Sequence, residues 1–255
     1  MNRLLILFTS FLLICCQEQQ EKFANGLTKE AIQITEYIIK IKENSNAEIK
    51  QDTLSITSKF YNNNQILKRV QTTPFNNQTM ETNFVYDDFG KVQKEIVKMD
   101  FDNSSFEIDY FYKDSLLIKT QVVDEVQENV RFKQIENYTY SNEGIKLETE
   151  TTQEYIDFNT NDTLVNMISL SKFNDAELVS EIETINYKNP LLNSKRKYEY
   201  ENELVKRQKV YDSEDSLTSN VNYKYEFDKY DNWIKKTSFK ENKPDKFIIR
   251  KIKYK

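Results

Sequence analysis

The chain has 255 residues, with 36 basic and 41 acidic side chains and a formal net charge of −5. This balance does not favour binding to nucleic acid or to an anionic membrane surface, because both attract basic proteins. The chain has no histidine and only two cysteines, which excludes Ser–His and Cys–His catalysis and any zinc site that needs imidazole.

The N-terminal segment has the layout of a secretory signal. Arg3 supplies a positive charge, an apolar run follows from Leu4 to Ile14, and polar Gln and Glu residues come next. As a helix this run would span roughly 16 Å, about half of the hydrocarbon core of a bilayer. It is therefore predicted to be an export signal and not a transmembrane helix.

The end of this segment, "LICC", resembles the lipobox of bacterial lipoproteins, with Leu13 three positions before Cys16. The resemblance implies a signal peptide over residues 1–15, a lipid on Cys16, and a lipidated N-terminus and short tether over residues 16–26. It also implies anchoring in the outer membrane, facing either the periplasm or the cell surface. Ordinary secretory cleavage and an uncleaved anchor are the alternatives. Lipidation would leave no free thiol, so any catalysis would rest on carboxylate, lysine or tyrosine side chains.

The segment "AIQITEYIIKIK", within residues 30–42, has two interpretations. Ile32 and Ile34 fit the alternation of a strand, whereas Ala31, Ile34, Ile38 and Ile41 fit one face of a helix. We favour the strand, because the segments that follow are predicted strands.

An internal repeat of about 25 to 33 residues runs through most of the chain. Its clearest copies are "FVYDDFGKVQKE", "YFYKDSLLIKT", "YTYSNEGIKLE", "YEYENELVKR" and "YEFDKYDNWIKK". Each copy predicts a β-hairpin, because aromatic residues alternate with polar ones before a turn rich in Asn, Asp, Ser and Gly. The aromatic residues that anchor the copies are Phe60, Tyr86, Tyr112, Tyr140, Phe173, Tyr200 and Phe227.

Consecutive hairpins predict one all-β domain over residues 27–255, built as a long antiparallel meander of roughly fifteen strands. An aromatic face of this length cannot remain in water, and open sheets of more than about ten strands curl or split into two layers. We therefore expect a half-barrel or sandwich-like sheet with the tyrosines inside.

The stretches "YDDFGK" from Tyr86 and "FDKYDN" from Phe227 resemble the YD repeats of Rhs-type proteins and of many small lipoproteins of the Bacteroidetes. The resemblance covers most of the chain after the signal. It implies a β-meander architecture and a setting in the bacterial cell envelope.

These features predict a non-enzymatic binding or assembly role at the outer membrane, with a glycan or an envelope protein as the partner. No cofactor, metal or catalytic residue is predicted, and the oligomeric state is left open. Trp233, with Tyr225 and Tyr230 nearby, is a candidate ligand-binding group, because Trp and Tyr combine stacking area with a polar atom. The alternative for Trp233 is core packing opposite Phe227.

Two other functions fit the composition. A carboxylate-dependent glycan hydrolase needs no histidine, although no acidic residue stands out by its context. An outer-membrane β-barrel would also contain alternating strands with an aromatic face. The lipobox and the Lys and Glu residues scattered through the outgoing strands argue against that barrel.

Four tripeptides of the form Asp-(Ser/Thr)-Leu resemble the general O-glycosylation sequon of exported Bacteroidetes proteins. The resemblance implies that the hydroxyl residues are exposed and that at least one carries a sugar. The same tripeptides also arise as turns before a strand. The candidate residues are Thr53, Ser115, Thr163 and Ser216.

Overall fold

The structure is a computed structural model that describes residues 31–43, 49–62, 65–127, 130–157 and 159–255. The predicted signal peptide, Cys16 and the tether lie outside these residues. The described residues form sixteen β-strands and one short 3₁₀ turn, Pro190–Leu192. The strands are β1 (Ala31–Glu43), β2 (Ile49–Asn62), β3 (Gln65–Thr73), β4 (Gln78–Tyr86), β5 (Val92–Met99), β6 (Ser105–Lys113), β7 (Leu116–Gln127), β8 (Val130–Tyr140), β9 (Lys146–Asp157), β10 (Thr163–Phe173), β11 (Val179–Asn186), β12 (Ser194–Glu201), β13 (Leu204–Tyr211), β14 (Leu217–Phe227), β15 (Trp233–Lys240) and β16 (Lys243–Tyr254).

The sheet is a closed antiparallel barrel. Each strand pairs with the next in sequence, and β1 pairs with β16. The all-β antiparallel meander is confirmed, and the segment from Ala31 is a strand. The expected half-barrel or sandwich-like shape is corrected to a closed barrel, because the two ends of the meander meet where Ile34 pairs with Ile252 and Ile38 with Ile248. Closure satisfies the backbone groups that two open edges would expose.

Alternate residues of each strand point into and out of the barrel, as pleating requires. In β5, Glu95 and Val97 are buried, whereas Lys94 and Lys98 on the opposite face are accessible to solvent. The inner face contains an apolar cluster, formed by Val97, Phe106, Val122 and Phe132. The concave wall therefore holds the core, and the convex wall faces outward.

The outward face carries cross-strand ion pairs. Lys94 of β5 pairs with Glu107 and lies 3.6 Å from Asp109 on β6, and Lys172 of β10 lies 3.3 Å from Glu181 on β11. Similar pairs occur on other strands, namely Lys68–Glu81, Lys133–Glu154, Lys197–Glu181, Arg207–Glu199, Lys209–Glu199 and Lys235–Glu226. Charged side chains thus lie on the outer wall of many strands between β3 and β15, beside exposed apolar ones such as Val85, Phe111 and Val123.

Five hairpin turns share one geometry. In the first of them the Asp87 carboxylate accepts hydrogen bonds from the backbone N–H groups of Phe89 (2.9 Å) and Lys91 (2.8 Å). An Asp, Asn or Ser begins each turn in the same way, and the fourth residue has a left-handed φ. The turns comprise residues 87–91, 141–145, 174–178, 212–216 and 228–232. This geometry explains why Asp, Asn and Ser recur after the anchoring aromatic residue.

Inward tyrosines join neighbouring hairpins. The Tyr112 hydroxyl donates a 2.9 Å hydrogen bond to the carbonyl of Val92, at the start of the returning strand of the preceding hairpin. Three other anchoring tyrosines donate from their hydroxyls to backbone carbonyls of the preceding hairpin in the same way, namely Tyr86 to Ile66, Tyr140 to Leu117 and Tyr200 to Val179. The spacing of the repeat therefore follows from a contact between successive hairpins.

In the first and last copies of the repeat, the predicted anchoring residue does not make this contact between hairpins. Phe60 pairs with Gln33 and Lys68 on the outward face. In the last copy it is the Tyr225 hydroxyl that donates to a preceding strand, 3.0 Å from the carbonyl of Val205. Phe227 is 49% exposed, so these two phenylalanines do not anchor the core as the sequence predicted.

The two ends of the barrel carry different turns. Ala31 pairs with Tyr254, so β1 begins and β16 ends at the end that holds the turns after β4, β6, β8, β10, β12 and β14. We call this the Ala31 end and the opposite one the far end.

Candidate ligand-binding site

A cavity of about 670 Å³ opens at the Ala31 end. Strands β12 to β16 and the turn between β12 and β13 line it. This size falls within the range of small-molecule sites. Trp233 and Tyr225, two of the three candidate residues from the sequence, both line it.

Trp233 forms the buried part of the cavity wall. It begins β15 directly after a turn, is only 4% exposed, and pairs with Phe227. The Tyr225 ring packs against it edge-on, with centroids 5.9 Å apart. The buried indole N–H of Trp233 makes no hydrogen bond with any described residue. Trp233 therefore belongs to the packed inner wall, where its buried N–H lacks an acceptor, which is costly.

A buried charge network supports the tryptophan. The Arg250 guanidinium lies 3.4 Å from the centroid of the Trp233 ring, and its Nε donates to the Glu36 carboxylate at 2.5 Å. The Lys59 ammonium lies 3.9 Å from the other oxygen of the same carboxylate. Since Glu36 belongs to β1 and Arg250 to β16, the network forms only when the barrel closes.

Sequence patterns did not indicate Arg250 or Glu36 as site residues. Both residues lie at inward positions of their strands. Arg250 lies between Ile248 and Ile252 on the inward face of β16. A charged residue on an apolar face was the available signal, but its partner could not be identified before the pairing of β1 with β16 was known.

The rim of the cavity is polar and carries both signs of charge. Asn202 and Glu203 form a two-residue turn in which both have a left-handed φ, and this turn places Glu203 at the opening. Lys206 and Lys224 also line the opening. The site thus combines an aromatic wall with donors and acceptors that can bind hydroxyl groups.

Tyr230, the third candidate, lies in a separate cluster at the same end. Its ring contacts Tyr254, with centroids 5.0 Å apart. Burial alone would raise the pKa of Asp228, but hydrogen bonds from the Tyr254 hydroxyl and from the backbone N–H groups of Tyr230 and Asn232 hold it below its ordinary value. Burial and the neighbouring Asp228 carboxylate raise the pKa of Tyr254 to about 12. This cluster closes the last hairpin onto the last strand.

The four glycosylation candidates lie at accessible or half-buried positions. Ser115 and Ser216 are exposed and lie in turns, whereas Thr53 and Thr163 are half-buried near strand ends. Modification of these hydroxyls stays a prediction.

The described residues contain no helical segment with the length and hydropathy that a membrane span requires. Within the same residues, no group of three or more acidic side chains is arranged to hold a metal ion.

Comparison with known proteins gives a likeness of fold. No model of a known protein family matches the chain, and no curated protein matches it in sequence. The crystal structure of a porin-like protein from Bacteroides vulgatus ATCC 8482 covers 89% of this chain and 99% of its own, with a TM-score of 0.54 and 11% identity. That of a porin-like protein from Bacteroides uniformis ATCC 8492 covers 88% of this chain and 98% of its own, with a TM-score of 0.51 and 8% identity. The chain is therefore similar in fold to porin-like barrels.

Proposed function

We propose that the chain is a lipid-anchored, non-enzymatic binding protein of the bacterial cell envelope, whose barrel lies in water and binds a glycan at the Trp233 cavity. The observation that carries this proposal is the charged outer wall. A barrel that spans a membrane presents an apolar band about 25 Å tall to lipid. Here ion pairs such as Lys94–Glu107 and Lys172–Glu181 occupy the outward face.

The energetic cost of placing this wall in lipid is large. A lysine or arginine on the lipid face costs about 2–4 kcal/mol at the bilayer midplane. Outward ion pairs occur on many strands around the barrel, so the costs would accumulate. In water the same pairs carry no such penalty, and charged surfaces favour solubility.

The Ala31 end is the end that a lipid anchor would reach. Cys16 precedes Ala31 by a segment that could extend at most roughly 50 Å. The cavity opens at this end as well, so the proposed ligand would bind at the end of the barrel from which the tether leads to the membrane.

A glycan suits the chemistry of the cavity. The rings of Tyr225 and the exposed Phe227 offer apolar contact for a sugar ring, with Trp233 packed against Tyr225. The charged and amide groups of the rim can bind the sugar hydroxyls.

Calorimetric titration of residues 17–255 with envelope glycans tests the binding role. We expect Trp233→Phe, which keeps a ring but reduces the aromatic wall that supports Tyr225, to weaken glycan affinity about tenfold. Tyr230→Phe is the control, because Tyr230 belongs to the neighbouring cluster, and it should bind as the unmodified chain does. Equal affinity of Trp233→Phe and the unmodified chain would contradict this site.

Fractionation tests the anchored, water-exposed state. Residues 17–255 should be soluble and monodisperse without detergent, and Cys16→Ala should release the full chain from the membrane. If the lipid-free form needs detergent or inserts into liposomes, the anchored barrel is the wrong assignment.

The second candidate is an outer-membrane β-barrel. A closed barrel of sixteen strands and the likeness to porin-like structures support it at the level of architecture. The outward face of the seam between β1 and β16 is also apolar, with Tyr37 paired to Ile249 and Ile39 to Phe247. Detergent-purified full chain added to planar bilayers would produce ion conductance under this candidate and none under the first.

A further inference from the structure

A second cavity, of about 200 Å³, lies on the inner face toward the far end of the barrel. It differs chemically from the Trp233 cavity, because most of the charged residues that line it are lysines. Lys236 and Lys240 of β15 and Lys246 of β16 line it, against a single acidic residue, Asp245. The volume would hold several waters at roughly 30 Å³ each, which is room for a small ion of a few heavy atoms.

The one carboxylate is already engaged. Asp245 forms an ion pair with Lys40 of β1, whose register partner is Lys246. Within the part of the chain that the structure describes, the Lys246 ammonium makes no ion pair of its own. Burial and the neighbouring charges of Lys40 and Lys240 lower the pKa of Lys246, while Asp245 opposes that shift. The cavity therefore holds more positive than negative charge.

The remaining wall is polar. Ser219 lines the cavity on β14, and Ser238 lies opposite Tyr223 on β15, where its hydroxyl donates a 3.3 Å hydrogen bond to the carbonyl of Lys246. The Tyr223 hydroxyl is engaged with Gln208 at 2.8 Å, and the Lys236 ammonium lies 4.6 Å from the Tyr223 ring centroid. Several ammonium groups that line one small cavity from two strands can bind phosphate oxygens through charge-assisted hydrogen bonds.

We propose that this basic cavity binds a tetrahedral oxyanion, a phosphate or sulfate group that is either free or part of a larger molecule. The anion would neutralise the excess charge of Lys236, Lys240 and Lys246 and accept hydrogen bonds from their ammonium groups. This site does not depend on the glycan site or on how the barrel is anchored.

Thermal unfolding of residues 17–255 tests the site with inorganic phosphate, sulfate, glycerol 1-phosphate and acetate, each at the same ionic strength set with sodium chloride. We expect the melting temperature to rise with phosphate and sulfate beyond the chloride reference, and to rise less with acetate. Tighter binding of glycerol 1-phosphate than of inorganic phosphate would assign a phosphoester as the ligand, and equal binding would assign the free ion.

Lys246→Met removes the half-buried charge and keeps an apolar stem of similar length. It should lower phosphate affinity about tenfold or more, and in phosphate-free buffer it should raise the melting temperature, because a half-buried ammonium among other lysines is costly. Lys240→Met, with an exposed side chain at the edge of the cavity, is the second variant in case the first folds poorly. Lys113→Met, exposed at the end of β6 at the Ala31 end, is the matched control and should change neither quantity. The absence of any phosphate or sulfate effect beyond chloride, or an unchanged phosphate response in both cavity variants, would overturn the proposal.

Discussion

At the level of single residues, each inward tyrosine that anchors a hairpin contributes to the stability of the fold through one hydroxyl hydrogen bond. The Tyr112 hydroxyl lies 2.9 Å from the Val92 carbonyl, and the Lys91 ammonium lies 5.2 Å from the centroid of the same ring. Replacing tyrosine by phenylalanine keeps the ring contact and removes only the hydrogen bond.

Tyr112→Phe is therefore expected to lower the free energy of unfolding by about 1 kcal/mol, the usual net value of such a bond. Denaturant titration measures it. Tyr211→Phe is the control, since the Tyr211 hydroxyl makes no hydrogen bond with the described residues, and its value should lie within about 0.5 kcal/mol of zero. A loss at Tyr112 no larger than at Tyr211 would show that the hydroxyls do not join the hairpins.

The fourth residue of the shared turn provides a second test at this scale. Its left-handed φ is 81° at Gly144 and 56° at Glu177. Glu177→Gly should stabilise the fold by about 0.5–1 kcal/mol, because a residue with a Cβ is strained in this region and glycine is not.

Gly144→Glu is the matched reverse change and should destabilise by about 1 kcal/mol. A Cβ at Gly144 would meet no atom closer than 4.0 Å, so the loss would come from the backbone alone. Changes of the same sign in both variants would contradict the backbone explanation.

At the level of elements, the pairing of β1 with β16 decides the architecture. Tyr37 and Ile249 are register partners on the outward face of this seam. In residues 17–255, which lack both native cysteines, Tyr37→Cys combined with Ile249→Cys should form a disulfide on mild oxidation, because paired Cα atoms lie about 4.5–5.5 Å apart.

The cross-linked chain should migrate faster on a non-reducing gel and be more stable by up to about 5 kcal/mol. Tyr37→Cys with Lys253→Cys is the control, because Lys253 lies about 13 Å further along β16 and should not cross-link. Equal yields from the two pairs, or none from either, would mean that the seam is not closed in this register.

At the level of the whole molecule, buried tyrosines couple folding to alkaline pH. Burial raises the pKa of Tyr155, Tyr200 and Tyr223 well above the ordinary value of 10.0. The folded chain therefore keeps protons that the unfolded chain loses. The stabilisation is complete below pH 10 and is lost as the pH rises through the folded-state pKa values.

The free energy of unfolding should thus fall between about pH 9 and pH 12, measured by urea titration with tyrosinate absorbance recorded in parallel. Tyr223→Phe is the comparison variant, because it lacks one titrating group, and its stability should fall less steeply with pH. Parallel curves for the two proteins would assign the loss to lysine deprotonation instead.

The sequence by itself determined the local structure. Alternation in segments such as residues 105–113 gives strands, and an Asp, Asn or Ser after the aromatic residue gives turns, because both depend on neighbouring residues only. The sequence also brought Trp233 and Tyr225 together as candidates, because a single hairpin holds both. The same short range explains the error at Phe60, where a one-residue shift of register turns the ring outward. Phe227 lines the Trp233 cavity but stays half exposed at the end of the barrel, which a local pattern does not indicate.

Only the tertiary structure decided closure, the charge of each face and the second cavity. β1 and β16 have apolar residues on both faces, so their periodicity does not indicate which strand each one pairs with. That pairing joins residues more than 200 positions apart, such as Glu36 with Arg250 and Lys40 with Asp245. Contacts of this separation depend on the accumulated twist and stagger of all sixteen strands. Local sequence patterns determine each strand separately. The accumulated twist and stagger that close the barrel and assemble both cavities exist only in the folded chain.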